Sequence, residues 1–297
     1  MRMLTLILAL SAAMAAWSAP ERVWVSDGYN NRDLTISADG NTLLTTRLLP
    51  RNRLGVILVS RKAAGAWSTL EIASFSGRFS DIEPMFSPDG TRLWFSSTRP
   101  KPDREGQDWD IWYVDFDSAS GTFGDPVNAG APVNSPGDEF YPSVSNSGVI
   151  YFTAERDGGM GIEDIYRYDP ATSKGVENLG DGVNSAGDEF NAFVAPDESY
   201  LLFTAWGRDD DLGRGDIYLS RSDGRGRFEA AVHLGNGINS DQLDYCPSVV
   251  GTTLYFTSER SSLPETFANR SQLDGFMSAP GNGFGDVYQI DIEALFH

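Results

Sequence analysis

One sequence unit recurs along most of the chain, and it restricts the possible folds more than any other feature. In its clearest copy, residues 137–169, two acidic residues precede an apolar segment, a turn, a second apolar run, a Gly-rich turn and a third run that begins Asp-Ile-Tyr. Copies at a regular period indicate a repeat architecture, in which each copy is one supersecondary unit that packs against its neighbours.

Five copies of the unit cover the chain after its first residues. Each copy contains three runs rich in β-branched and aromatic residues with turn residues between them, which predicts three strands. A weaker fourth run and a Gly- and Asn-rich turn join one copy to the next, and no segment shows helical periodicity. Alignment on the first run gives spacings of 50, 58, 50 and 55 residues between Leu34, Pro84, Pro142, Ala192 and Pro247.

Four short antiparallel strands repeated at about fifty residues are typical of a β-propeller blade. We therefore predict an all-β chain that forms a single propeller of five four-stranded blades, with five favoured over six by the even spacing. The last copy lacks a fourth strand, whereas residues 20–31 look like one. We predict that this N-terminal strand completes the last blade and closes the ring, which removes the open edges of a linear array.

Several motifs carry a resemblance to a known family. They are SPDG at residues 87–90, the YFTAER and YFTSER strands, the DIY, DIW and DVY starts of the third strands and the NS(x)GDEF junctions. These motifs resemble the TolB-like and WD-repeat-like propeller repeats of bacterial exported proteins. The resemblance implies a propeller in the periplasm or outside the cell. It does not imply one activity, because repeats of this type occur in scaffolds, binding modules and enzymes.

The N-terminus and the charge limit location and partners. Residues 1–19 combine Arg2, a short apolar run and small residues, which predicts a cleaved signal peptide followed by a propeller domain over residues 20–297. The peptide has no cysteine at its end for a lipid anchor, and no later stretch is long and apolar enough for a membrane helix. We expect a periplasmic or secreted monomer. A net charge of −19 argues against nucleic acid and anionic membranes as partners.

Three polar positions recur in the second to fifth copies: an acid before the first strand, an arginine after the second and an aspartate at the start of the third. In an up-and-down blade all three lie on one face. We predict that the arginine and the third-strand aspartate form structural pairs. The first acids could instead line the channel mouth and bind a cation or a sugar. The first acids are Asp81, Glu139, Glu189 and Asp244, the arginines Arg99, Arg156, Arg208 and Arg260, and the third-strand aspartates Asp110, Asp164, Asp216 and Asp286.

The repeat is interrupted most strongly before its last strand. Residues 261–284 form an insertion between Arg260 and Asp286 that is much longer than the corresponding loops of the third and fourth copies. Long loops at one end of a rigid scaffold often carry function. We predict a lid over the channel mouth that uses Phe267, Phe276 and Met277, with a solvated insertion as the alternative.

The scarcity of histidine and cysteine excludes several chemistries. The histidines are His233, on a predicted outer strand, and the terminal His297, and the single cysteine, Cys246, is expected to be buried and inert. A zinc site and a Ser-His-Asp triad are therefore improbable, and we expect no metal and no cofactor.

Two classes of function remain open. The first is a non-catalytic binding or scaffold module that engages a protein, a peptide or an envelope glycan through its loop-rich face. The second is a carbohydrate-active hydrolase, because glycosidases need two carboxyl groups at a defined separation. The first candidates for that pair are Glu139 and Glu189.

Overall fold

The computed structural model describes residues 19–101 and 108–296. Five antiparallel sheets are arranged as a five-bladed β-propeller, which confirms the predicted fold class and blade number. No helix within the described ranges is long and apolar enough to cross a membrane. The predicted signal peptide falls almost entirely on residues outside the described ranges, so it stays a prediction.

The strands follow the order of the repeats. Blade 1 contains β2 (Asn30–Ile36), β3 (Thr42–Leu48), β4 (Gly55–Ala63), β5 (Ala66–Trp67) and β6 (Glu71–Ile72). Blade 2 contains β7 (Asp81–Phe86), β8 (Arg92–Ser97), β9 (Asp110–Asp117), β10 (Thr122–Phe123) and β11 (Val127–Asn128). Blade 3 contains β12 (Glu139–Val144), β13 (Ile150–Ala154), β14 (Asp164–Tyr168) and β15 (Val176–Asn178). Blade 4 contains β16 (Asp188–Val194), β17 (Tyr200–Trp206), β18 (Asp216–Arg221) and β19 (Val232–His233). Blade 5 contains β20 (Asp244–Val250), β21 (Thr253–Ser258), β22 (Asp286–Asp291) and β1 (Glu21–Arg22).

The N-terminal strand closes the ring, as the sequence predicts. Strand β1 is the outer strand of blade 5 and pairs antiparallel with β22, with Glu21 opposite Gln289 and Arg22 opposite Tyr288. The residues that follow add to the closure, because Val23 and Val25 are buried in the same hydrophobic cluster as Val287. The two ends of the described chain therefore share one blade, and β1 covers the side of β22 that would otherwise be unpaired.

The hydrophobic core lies between neighbouring blades. Its largest members include the phenylalanines at one repeated position of the second strand, Phe95, Phe152, Phe203 and Phe256, all of which are almost completely buried. Single clusters draw residues from adjacent blades, for example Tyr151 of blade 3 with Phe203 of blade 4. Truncating such a phenylalanine to alanine typically costs about 3–5 kcal/mol of stability.

A bulge interrupts the innermost strand of every blade at the same repeat position. The pairing register shifts there in all five blades, and the bulged residue has a positive φ of 48–61°. Such a conformation is costly for residues other than glycine and is usually tied to a special structural task. Here it turns an additional side chain toward the middle of the ring. The bulged residues are Asp33, Glu83, Tyr141, Asn191 and Cys246.

The insertion before β22 contains a helix that the sequence analysis did not predict. Helix α1 (Arg270–Met277) begins after Asn269, whose side chain accepts a hydrogen bond from the backbone N–H of Gln272 at 3.0 Å. Asn is a favourable N-cap residue. The helix is short, contains Gly275 and buries no residue, so it lacks the apolar periodicity by which longer helices are identified. Two 3₁₀ turns, Pro50–Asn52 and Glu293–Phe296, complete the elements.

Candidate ligand-binding face

The face at which each first strand begins, here called the loop face, carries the three recurring polar positions. The four first acids have no exposed surface. Each forms an ion pair with the arginine of its own blade, at 2.6 Å for Arg99 and Asp81 and at 2.8 Å for Arg208 and Glu189. The corresponding pairs in blades 3 and 5 are Arg156 with Glu139 and Arg260 with Asp244. The prediction that the arginines pair with the third-strand aspartates was therefore wrong, because each arginine pairs with the first acid of its own blade.

Each of these arginines also holds neighbouring segments together. Arg208 donates to the backbone oxygen of Val183, in the junction that enters its blade, and its guanidinium lies 4.7 Å from the ring centroid of Tyr218. Glu189 accepts further hydrogen bonds from the backbone and hydroxyl of Ser185. Arg99, Arg156 and Arg260 make equivalent carbonyl and aromatic contacts. These contacts are the ones that a structural role requires.

The third-strand aspartates bind the outer part of their blades. The fourth-strand partners are Asn128 for Asp110, Asn178 for Asp164, His233 for Asp216 and Arg22 for Asp286, at distances of 2.8–3.3 Å. Backbone N–H groups of the preceding loop complete three of these sites, for example Gly281 N–H to Asp286 at 2.6 Å. Burial raises the pKa of both Asp110 and Asp286. The aspartates thus fix strand order within the blade.

A small pocket opens on the loop face at the centre of the ring. This axial pocket has a volume of about 240 Å³. Its wall is formed by the residues that directly follow the four first acids and Asn31, their counterpart in blade 1. These residues are Arg32, Ile82, Phe140, Phe190 and Tyr245. Four of the five are apolar or aromatic, so this wall is a hydrophobic cup with one cationic side chain. The rest of the lining is mostly polar and consists of Glu83, Thr153, Glu163, Asn191 and Leu243. The alternation of a strand explains the arrangement, because neighbouring residues point in opposite directions.

A polar cluster closes the floor of the axial pocket. Arg32 donates to Asp33 at 2.9 Å, to Glu83 at 2.8 Å and to the Cys246 sulfur at 3.1 Å. Asn191 donates to Glu83 and accepts from Cys246. Glu83 accepts two further hydrogen bonds, from the backbone N–H of Tyr141 and from the Ser96 hydroxyl. This network ties all five blades together at the axis.

Burial decides the ionisation of the polar floor. Burial is the main reason why the pKa of Glu83 is raised, although the Arg32 guanidinium opposes the shift. Burial also raises the pKa of the Cys246 thiol, which keeps it protonated and unreactive at neutral pH. The prediction of a buried cysteine therefore agrees with its position.

A second cavity, the acidic cleft, adjoins the axial pocket. It has a volume of about 740 Å³ and shares Phe140 and Glu163 with the axial pocket. Burial, reinforced by the charges of Glu83 and Asp188, raises the pKa of Glu163 to about 7. No described residue donates a hydrogen bond to the Glu163 carboxylate. Among the described residues that line the cleft, Arg156 is the one cation, and the acids are Asp108, Asp138, Glu155, Asp157, Glu163 and Asp188.

The long insertion lies elsewhere on the loop face. Phe267 packs against Phe276, with ring centroids 5.6 Å apart, and Met277 is more than half exposed. The segment is anchored on the N-terminal chain, where Asn282 donates to the backbone oxygen of Gly28 at 2.9 Å. None of the three predicted lid residues lines the axial pocket or the acidic cleft. In this structure the segment is an exposed insertion beside blades 5 and 1.

Sequence reasoning missed the residues that form the two cavities. It concentrated on positions that recur, whereas Arg32, Glu83 and Asn191 occupy positions at which the five copies differ. The sequence did contain a signal, because the residue before Leu34, Pro84, Pro142, Ala192 or Pro247 is a different amino acid in each copy and is acidic only in the first two. No group of three or more potential metal ligands is found within residues 19–101 and 108–296.

Comparisons with known proteins bear on the fold. No protein-family model and no curated protein matches the sequence significantly. A solved glycoside hydrolase superposes with a TM-score of 0.57 at 9% identity, covering 92% of this chain and 90% of that chain. A protein assigned as TolB from Agrobacterium tumefaciens superposes with a TM-score of 0.52 at 18% identity, covering 89% and 90%. For TolB from Acinetobacter baumannii the TM-score is 0.49 at 13% identity, and 89% of this chain spans 55% of that protein. At these identities the likeness to the first two structures shows a shared propeller fold alone.

Proposed function

We propose that this propeller is a non-catalytic binding module that takes a segment of a partner protein on its loop face. The observation that carries the proposal is the continuity of the axial pocket with the acidic cleft through Phe140 and Glu163. One cavity offers a hydrophobic cup and the other a surface rich in carboxylates. The matching ligand is a cationic peptide segment with an apolar side chain that enters the cup.

The charge of the cleft supports a cationic ligand. Among the described residues of the cleft the one cation is Arg156, which is already paired with Glu139. The chain as a whole carries a net charge of −19, which adds long-range attraction for a basic partner. The attraction should weaken as salt is added, because exposed charges are screened.

Exposed apolar residues on the loops of the same face support a protein partner. Ile162 borders the acidic cleft and is 65% exposed, and Trp206 ends β17 with 53% of its surface exposed. Large apolar groups that surround a pocket are common at protein interfaces. Other members of this exposed set on the loop face are Tyr29, Met160, Leu212, Leu263, Met277 and Phe284.

A hydrolase is the second candidate, favoured by the glycoside hydrolase fold match and by the raised pKa of Glu163. Glu139 and Glu189 are poor candidates for its acid pair, because each is buried and held by an arginine and a serine. Glu83 lies in the axial pocket, but four donors occupy its oxygens. The second carboxyl group that glycoside hydrolysis requires would have to come from another acid of the cleft, such as Asp138 or Asp188. We favour binding because neither member of the acid pair predicted from the sequence is free to act.

The test of the binding proposal is calorimetric titration with Lys-rich peptides that contain one central Trp or Leu. We expect saturable binding that Phe140→Ala and Glu163→Gln both weaken. The matched control is Glu71→Gln, which removes the same charge from an exposed outer strand and should leave the affinity unchanged. If the control variant lost as much affinity for the peptide as the cleft variants, the binding would be nonspecific charge attraction and the proposal would be contradicted.

A glycan screen separates the two candidates. Turnover of any oligosaccharide that Glu163→Gln abolishes would establish the hydrolase and overturn the non-catalytic assignment. Glu139→Gln and Glu189→Gln belong in the same screen, because loss of turnover in folded forms of either variant would restore the acid pair proposed from the sequence.

Export and oligomeric state complete the proposal. We infer that residues 1–19 direct the chain to the periplasm or the medium and that the propeller acts there as a monomer. Expression in a bacterial host, followed by N-terminal sequencing of the exported protein, tests cleavage, and light scattering tests the monomer. Retention of residues 1–19 on a cytoplasmic product would contradict the location.

A further inference from the structure

One part of the loop face, where blade 1 meets blade 2, carries positive charge. Residues 49–54, which connect β3 to β4, contain Arg51 and Arg53 and no acidic residue, and both arginines are exposed. Arg78 lies in the junction that enters blade 2, where it is exposed and its guanidinium lies 5.1 Å from the ring centroid of Phe79. These three arginines, here called the cationic patch, line neither the axial pocket nor the acidic cleft.

The two segments that form the cationic patch lie side by side. The backbone N–H of Gly55, at the end of the blade 1 loop, donates to the Ser80 hydroxyl at 2.8 Å. A Cβ built on Gly55 would lie 2.9 Å from the backbone oxygen of Asp81, so the two chains approach more closely than a larger residue permits. Arg53 and Arg78 are each two residues away from this contact. The arginines therefore extend from neighbouring stretches of backbone.

The charge of the patch is not neutralised within the described part of the chain. None of its three arginines forms an ion pair or donates a side-chain hydrogen bond there. The acids of the neighbouring segments already have cationic partners, since Asp27 pairs with Arg47 and Asp81 with Arg99, both at 2.6 Å. The guanidinium groups of the patch are therefore available to a ligand.

The equivalent segments of other blades carry the opposite charge. The loop between the second and third strands contains Glu163 in blade 3 and three aspartates, residues 209–211, in blade 4. The residue before the first acid is Ser80 in blade 2, whereas it is Asp138 in blade 3 and Asp188 in blade 4. Both segments of the patch thus depart from the acidic pattern, in a chain with a net charge of −19.

The backbone of the blade 1 loop is strained and closed. Arg51 and Asn52 have φ values of 64° and 51°, so two successive residues other than glycine are in the left-handed region. Such conformations are uncommon and are concentrated at functional sites. The backbone N–H of Leu49 donates to the oxygen of Leu54 at 2.9 Å, which closes the loop. The loop that carries two of the arginines is therefore preorganised, which lowers the entropy cost of binding a ligand.

We propose that the cationic patch binds an acidic segment of a partner protein. Guanidinium groups match carboxylates because one guanidinium can donate two parallel hydrogen bonds to one carboxylate, and arginine clusters are a recurring means of binding acidic peptide motifs. The inference goes beyond the proposed function and does not depend on it, because the patch and the acidic cleft share no residue.

A broad anionic surface fits the patch less well than a peptide segment. A membrane of anionic lipids that reached the arginines would also meet the carboxylates of the acidic cleft, which lies on the same face. The net charge of −19 adds to this repulsion. An acidic segment is narrow enough to contact blades 1 and 2 alone.

The test is calorimetric titration of the protein with a Glu-rich peptide at low salt. We expect saturable binding that weakens as salt is added. Arg51→Gln and Arg53→Gln combined in one variant should weaken it roughly three- to tenfold, as the loss of two exposed ion pairs would. The matched control is Arg225→Gln, which removes a positive charge from an exposed turn on the opposite face and should leave the affinity unchanged.

Three outcomes would overturn the proposal. The first is the absence of saturable binding of the Glu-rich peptide to the unsubstituted protein. The second is an equal loss of affinity in Arg225→Gln and in the folded patch variant, which would show an effect of net charge. The third is binding of phosphatidylglycerol vesicles that the patch variant loses while the peptide does not bind, which would make the patch a lipid headgroup site.

The Lys-rich peptide used to test the proposed function separates the two proposals. The patch variant should bind that peptide at least as well as the unsubstituted protein does, because the substitutions lie outside the acidic cleft and remove positive charge. Binding of the Glu-rich peptide without binding of the Lys-rich peptide would support the patch and contradict the proposed function. The reverse result would contradict the patch alone, and circular dichroism establishes that each variant is folded.

Discussion

Neutralising Glu163 should stabilise the protein in a manner that depends on pH. The carboxyl lies between the axial pocket and the acidic cleft, and burial among other acids raises its pKa from 4.5 to about 7. Between these values the folded state holds a proton that the unfolded state releases. Ionising Glu163 in the folded state therefore costs stability, and the cost grows as the pH rises through this range.

The size of the effect follows from the two pKa values. A single group with this shift costs under about 1 kcal/mol at pH 5 and about 3 kcal/mol at pH 8. Glu163→Gln removes the ionisable group and keeps the shape of the side chain. We expect the substitution to raise the free energy of unfolding at both pH values. The increase should be larger at pH 8 than at pH 5 by about 2 kcal/mol.

Urea unfolding followed by circular dichroism at both pH values measures the difference. Glu155→Gln is the control, because Glu155 lines the same cleft with an exposed side chain and its neutralisation should change stability far less. The assigned pKa would be refuted if Glu163→Gln changed the free energy of unfolding by the same amount at pH 5 and at pH 8. A decrease in stability at pH 8 would show that the carboxylate is held by a stabilising contact.

Three further results are expected. Deleting residues 20–25 removes β1 and two buried valines, so the melting temperature should drop sharply in calorimetry; an unchanged melt would contradict ring closure by the N-terminal strand. Arg208→Ala leaves the buried Glu189 without its cation and should cost about 3 kcal/mol in urea unfolding, whereas the exposed Arg225→Ala should cost almost nothing. Cys246 should resist maleimide in the native state and react in urea, because burial raises the pKa of its thiol; rapid native labelling would argue against the closed axis.

The repeat in the sequence was sufficient to predict the blades. Turn residues and strand composition act locally, and the same pattern recurs in each copy, so five copies at spacings near fifty residues determine the number of blades. The missing fourth strand of the last copy likewise predicted that β1 would complete blade 5. The face on which the recurring charges lie followed from the up-and-down order of the strands.

The contacts between those charges depended on distances that the sequence does not contain. Arg208 could reach either Glu189 or Asp216, and only the folded loop shows that it binds Glu189 while Asp216 binds His233. The insertion at residues 261–284 could not be placed either, because it has no counterpart in the other copies.

The candidate sites arise where the five copies differ. The bulge brings one residue from each blade to the axis, so chemically unrelated residues more than fifty positions apart, such as Glu83 and Asn191, become hydrogen-bonded neighbours. The sequence by itself determined the repeated scaffold through local preferences. Tertiary structure alone decided which non-repeated residues meet, because ring closure sets the distances between blades.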